Sequence, residues 1–191
     1  MSDPVKMEWS LSEAARLLGQ PQHRLIYLCE KGVILPDFGD AQGRGSSRRF
    51  SARNLLEFAL ALSLRALTVP VPSVAAIIYA LRAFEKRVAR EISGFSLASG
   101  LRAARAPKLR IILTDAGRLY FALGNGKPKI YGGLDFSTLT ASTRTRRRSK
   151  PGRHVRTALD RVAVGSEPGG DAKARIEVSL TQIARDLKLE D

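Results

Sequence analysis

Two short apolar-periodic segments near the start of the chain, each closed by a glycine, constrain the fold most. Ser10-Leu11-Ser12-Glu13 has capping-box spacing, with Ser10 placed to cap the Glu13 amide and Glu13 to reach back. It opens a helix with Leu11, Ala14, Ala15, Leu17 and Leu18 as its apolar set, ended by Gly19. Gln20-Pro21 begins a second helix running to about Lys31, with Leu25, Leu28 and Cys29 turned inward and Gly32 closing it. Two short helices joined by a turn of about three residues containing Gly form a helix-turn-helix pattern.

The segment after the second helix reads as a hairpin. Val33-Ile34-Leu35 is expected as a short strand, Pro36 to Ser47 as a loop, and Arg48-Arg49-Phe50 as the returning strand. That places a wing directly after the helix pair. Ser51 caps a third helix over 52–66, with Leu55, Leu56, Phe58, Ala59, Leu62 and Leu67 apolar. A fourth helix is expected from about Ser73 to Ile92, because Val74, Ile77, Ile78, Leu81, Phe84, Val88 and Ile92 recur at helical spacing. Its second half is a candidate dimer seam.

Beyond Gly94 the period changes. Leu109–Leu113 and Leu119–Leu123 are strand-like runs around Thr114-Asp115-Ala116-Gly117, a turn signal, and Ile130-Tyr131 is a third apolar piece. Residues 137–172 are rich in Ser, Thr, Arg, Gly and Pro and read as disordered. A strand at 175–178 and a last helix opened by Ser179-Leu180-Thr181-Gln182 complete a small module. The expected class is α+β: a helical winged domain over 8–84, a helical connector over 85–107, and a hairpin-containing module made of 108–136 and 173–189.

Charge narrows the function. The 191 residues carry 32 Lys and Arg against 18 Asp and Glu, a net +14. Residues 1–85 account for +2, 86–136 for +7, 137–172 for +5 and 173–191 for none. Such a balance attracts polyanions, above all nucleic acid. The single cysteine, Cys29, excludes an internal disulfide and a multi-thiolate metal site, and two histidines leave little for a catalytic triad. No paired carboxylates or nucleophile–base set emerges, so neither an enzyme nor a cofactor is expected. No apolar run approaches the ~20 residues of a membrane span, which points to a cytoplasmic, nucleoid-associated protein without a membrane partner.

The segment from about residue 8 to 84 resembles the MerR family of bacterial transcription regulators. The opening helix "WSLSEAARLLG" is similar to that family's first helix, and "EKGVILP" to its Glu-x-Gly-Leu-[Leu/Ile]-x-Pro exit from the recognition helix. "RRFSARNLLEF" is similar to Arg-x-Tyr-Ser-x-x-Asp-Leu, and "LTVPVPSVAAIIYAL" to the family's glycine–hydrophobic–serine segment. The loop "AQGRGSSRRFS" resembles a subset whose wing is built from Gly, Ser and Arg. Two departures stand out. Ile26 occupies the place of a phosphate-binding arginine, with Arg24 nearby to substitute, and there are no cysteines after the long helix to imply metal sensing.

The resemblance implies a winged helix-turn-helix that binds double-stranded DNA as a homodimer on an inverted repeat, with RNA polymerase as a further partner. Gln22, His23, Arg24 and Tyr27 would lie on the exposed part of the second helix and enter a major groove ~12 Å wide. The competing reading is an ordinary solvated helix face; His23 has no partner ligands for a metal. Arg44, Arg48 and Arg49 in the wing would meet the sugar-phosphate backbone, with Ser46 and Ser47 donating to phosphate oxygens. A nucleotide P-loop is excluded by the missing Lys and glycine spacing. Arg53, on the third helix, reads as a phosphate contact or as a plain solvent-facing charge. The run 144–156, with Arg144, Arg146, Arg147, Arg148, Lys150 and Arg153, would lie along DNA outside the main site or simply solubilise the chain. Two other classes compete: an architectural DNA-binding protein that bends DNA without regulating a promoter, and an antitoxin-like interaction protein.

Overall fold

The expected first capping box forms in both directions. Ser10 Oγ accepts from the Glu13 amide at 3.4 Å and Glu13 Oε2 accepts from the Ser10 amide at 2.7 Å. Helix α1 (Leu11–Leu17) comes next, then α2 (Gln22–Glu30), with Pro21 as N-cap. These are read from a computed structural model that describes residues 8–38, 48–101, 103, 105–115, 117–136 and 172–187. The expected loop residues Arg44, Ser46 and Ser47, the basic run 144–156 and all but the last residue of the segment 137–172 expected to be disordered lie outside the described residues.

Val33, Ile34 and Leu35 form no strand. Gly32 sits at φ +68°, a left-handed turn that a side chain would strain, and it reverses the chain at the end of α2. The amides of Val33 and Ile34 then bond the Leu28 carbonyl at 2.9 and 3.4 Å, and both side chains are buried. Their apolar, β-branched character serves an anchored helix exit rather than a ladder. The returning strand β2 (Arg49–Phe50) pairs instead with β1 (Trp9–Ser10), Trp9 opposite Phe50 and Ser10 opposite Arg49. Toward the hairpin side Phe38 pairs with Arg49, exchanging backbone bonds of 3.3 and 3.1 Å.

Helix α3 (Ala52–Ala66) starts from a second reciprocal box, Ser51 with Asn54. Helix α4 (Val71–Glu91) begins two residues earlier than expected, because Pro72 fits a helix's first turn. Its stripe of Val74, Ile77, Ile78, Leu81, Phe84 and Val88 is buried within the chain. Phe84 stacks on Phe121 at 4.7 Å and meets Tyr131 edge-on at 5.3 Å. Glu91 accepts from Lys129 Nζ at 2.5 Å and from the Tyr131 hydroxyl at 2.9 Å. The candidate dimer seam is therefore corrected: Phe84 packs against the chain's own C-terminal half and Val88 is buried within the chain. Only Ile92, at the end of that stripe, stays exposed. The stretch 85–107 is helical only in part, since α4 stops at Glu91 and α5 (Leu97–Gly100) is a single turn.

Four antiparallel strands come after these helices: β3 (Leu109–Thr114), β4 (Arg118–Leu123), β5 (Lys129–Asp135) and β6 (Arg175–Ser179), in the order β5-β4-β3-β6. The register sets Val178, Ile111, Phe121 and Tyr131 in one row, and Phe84 contacts two of them, so this face meets the helices. Ile112, Ala122 and Ile130 form a smaller cluster on the other face. A bulge at Leu119/Tyr120 brings Gly132 so close that a Cβ there would lie 2.7 Å from the Tyr120 Cα, so no larger residue fits. Helix α6 (Leu180–Asp186) closes the module: Thr181 Oγ1 accepts from the Leu109 amide at 2.7 Å, and the helix packs on both β3 and α3. The result is a mixed α+β fold with antiparallel sheets. One buried cluster runs from Trp9 to Leu187, across the boundary expected near residue 84.

Candidate nucleic-acid interface

Helix α2 has two unlike sides. Leu25 and Leu28 are buried beneath it, while Gln22, His23, Arg24 and Tyr27 are exposed. Residues three and four apart share a helix face, which aligns His23, Arg24, Tyr27 and, just past the end, Lys31. Arg24 Nη1 donates to Gln20 Oε1 at 3.0 Å, and Lys31 Nζ lies 5.5 Å from the Tyr27 ring centre. Lys31 was missed in sequence because it falls at the helix end; its i+4 spacing from Tyr27 was the available signal. Pro21 supplies no side-chain cap, which leaves the positive end of the helix dipole to other acceptors.

The two described arginines of the expected wing point differently. Phe50 is fully buried, so Arg49, next to it on the strand, faces solvent. Arg48 is half-buried, and its charge acts on Cys29 of α2. The Cys29 thiol is pushed up to about 11, chiefly by burial, with Arg48 pulling weakly the other way. It stays protonated near neutrality and is no nucleophile. Of the two, Arg48 is the one whose charge reaches Cys29 of α2.

Arg53 is placed elsewhere. Its Nε and Nη2 donate to the Asp37 carboxylate at 3.2 and 2.6 Å, and Nη1 stands 3.5 Å from Glu85 Oε2. It is no plain solvent-facing charge, because two carboxylates pair with it. Asp37 also accepts from the Ser51 hydroxyl at 2.5 Å. Burial alone would raise the Asp37 carboxyl, but the hydrogen bonds from Arg53 and Ser51 outweigh it and hold the group below its usual 3.8.

Beside this pair lies a second, deeper one. Arg82 of α4 grips both oxygens of Glu57, through Nε at 2.6 Å and Nη2 at 2.5 Å, and reaches the Leu35 carbonyl at 3.2 Å. Asn54 bridges the two pairs: it accepts from the Asp37 amide at 2.9 Å and donates to the Leu35 carbonyl at 3.0 Å and to Glu57 at 3.1 Å. Burial raises the Glu57 carboxyl above 4.5 despite the lowering effect of Arg82. Sequence reasoning missed Asp37, Asn54, Glu57, Arg82 and Glu85, because their partners lie up to 47 residues apart.

Arg65 donates to the Val69 carbonyl at 2.7 Å and closes the α3–α4 turn. Among the described residues no cluster of three His, Cys, Asp or Glu could hold a metal ion, and no helix is long and apolar enough to cross a membrane. No protein-family model matches the chain, and no curated protein matches it.

Proposed function

We propose that the chain is a sequence-specific, double-stranded DNA-binding transcription regulator of MerR-like winged helix-turn-helix type. In this reading α1 and α2 are the helix-turn-helix, α2 is the recognition helix, and the Phe38–Arg49 pair is the root of the wing. The observation that carries it is the exposed face of α2, with His23, Arg24 and Tyr27 aligned above buried leucines and Gln22 exposed at the helix start. An α-helix with its side chains is about 10–12 Å across and fits a major groove ~12 Å wide. Gln22, His23 and Arg24 would read base edges; Lys31 and Arg48 would neutralise phosphates.

Action as a homodimer on an inverted repeat, with two α2 helices ~34 Å apart along the duplex, is part of the proposal. A dimer surface would lie outside the buried residues Phe84 and Val88. RNA polymerase would be the partner at a promoter.

Fluorescence anisotropy against selected duplexes at several salt concentrations tests the reading. Binding should weaken steeply with salt, and Arg24→Ala and Arg48→Ala should each lower it. Duplex affinity indifferent to both substitutions would overturn it.

A further inference from the structure

The root of β2 is fixed by groups that do not belong to the exposed face of α2. Asp37 is clamped twice, through its amide to Asn54 and through its carboxylate to Arg53 and Ser51. The next residue, Phe38, exchanges both backbone bonds with Arg49. Arg53 is steadied in turn by Glu85 of α4, whose other oxygen accepts from the Leu97 amide at 2.9 Å. A continuous set of polar contacts thus runs from the start of α5, through α4 and α3, to the strand that carries Arg48 and Arg49.

We infer that Asp37, Arg53 and Glu85 are positioning residues for duplex binding, orienting Arg48 and Arg49 without touching the nucleic acid. The inference rests on the DNA-binding reading above and assigns to Arg53 a duty other than phosphate contact. The expected sign is unusual. Asp37 and Glu85 are anions near a surface that meets a polyanion, so removing either charge would strengthen binding if Coulomb attraction alone mattered. Positioning requires the reverse.

The test uses the full chain and the variants Asp37→Asn, Glu85→Gln and Arg53→Gln. Duplex affinity should fall roughly three- to tenfold in each, by the size of couplings within one hydrogen-bond network. The salt dependence should keep its slope, whereas loss of a direct phosphate contact at Arg53 would reduce that slope by about one. Exchange of the Phe38 and Arg49 amides should quicken by roughly tenfold beyond what the change in global stability accounts for. Tighter or equal binding by both carboxylate variants, or a reduced slope for Arg53→Gln, overturns the inference.

Should Asp37→Asn fail to fold, Glu85→Gln decides, since its amide keeps an oxygen for the Leu97 amide. Should Arg48→Ala leave duplex affinity intact, the DNA reading falls by itself. The amide exchange then judges positioning alone, with quickened exchange upholding it and unchanged exchange refuting it.

Discussion

Arg24 and Arg53 are both arginines of the first sixty residues, and both were candidates for phosphate. Arg24 bonds a neutral amide, Gln20, on the open side of α2 and keeps its charge. Arg53 bonds Asp37 and faces Glu85, so its field is cancelled within a few ångströms. The two regions are also held by different forces. Helix α2 is fastened by burial of Leu25 and Leu28, which leaves its polar side unused. The root of β2 is fastened by ion pairs and amide hydrogen bonds, which use its polar groups up. A basic residue near a binding surface acts on the ligand only when nothing inside the protein has claimed it.

The comparison breaks most visibly at Arg82. Replacing it with Met strands Glu57, which is 1% exposed, without its cation, and unpairing a buried partner costs about 3–5 kcal/mol. Urea denaturation would measure it, and a loss under about 1 kcal/mol would mean that the root is not held by this network. On the other side, Leu25→Ala removes apolar packing beneath α2 and should cost about 2–5 kcal/mol by the same measurement.

Arg48→Ala should leave folding nearly unchanged, weaken duplex binding by about 1–3 kcal/mol, and lower the salt slope by about one. Lys31→Ala, which also takes the cation from above Tyr27, should act in the same direction but less, by about 1 kcal/mol.

The pH dependence separates the two carboxylates. Asp37 is depressed in the folded state, so its contribution is present above pH 3.8 and lost as pH falls through the folded value. Glu57 is raised, so its contribution runs the other way, fullest below pH 4.5 and lost as pH rises through the folded value. Urea midpoints measured downward from about pH 5 should show a shallower acid loss in Asp37→Asn than in the parent. Smallest of all, Lys129→Ala removes a pair whose lysine is 41% exposed, and melting should register no more than about 0.5 kcal/mol.

The features legible in the sequence were local. The Ser10 box, the Ser51 cap, the glycine exits, the β3–β4 hairpin and the helix-period stripe of α4 each depend on residues close in sequence. The features it hid depended on distance. Val33 and Ile34 resemble a strand because burial selects the same residues whether a segment is paired or folded over a helix end. The second half of α4 looked unpartnered because Phe121 and Tyr131 lie more than 35 residues away. Arg53 looked free because nothing in its own helix announces Asp37. Of the candidate face, Gln22, His23, Arg24 and Tyr27 followed from helix spacing, and the reach of the Arg48 charge to Cys29 of α2 required the fold.

Helix α6 rests on α3, yet it is made more than a hundred residues later in the chain. Strand β6, just before it, pairs with β3 across more than sixty residues. Contacts that join such distant segments must close long loops before they contribute, and they slow the final step of folding. During synthesis, α3 therefore waits with an uncovered apolar flank until the far end of the chain arrives. The N-terminal helices can form early, but the last contact that fixes α3, and with it the polar root of β2, is made late. A chain interrupted before residue 180 would leave the flank of α3 that α6 covers open to solvent.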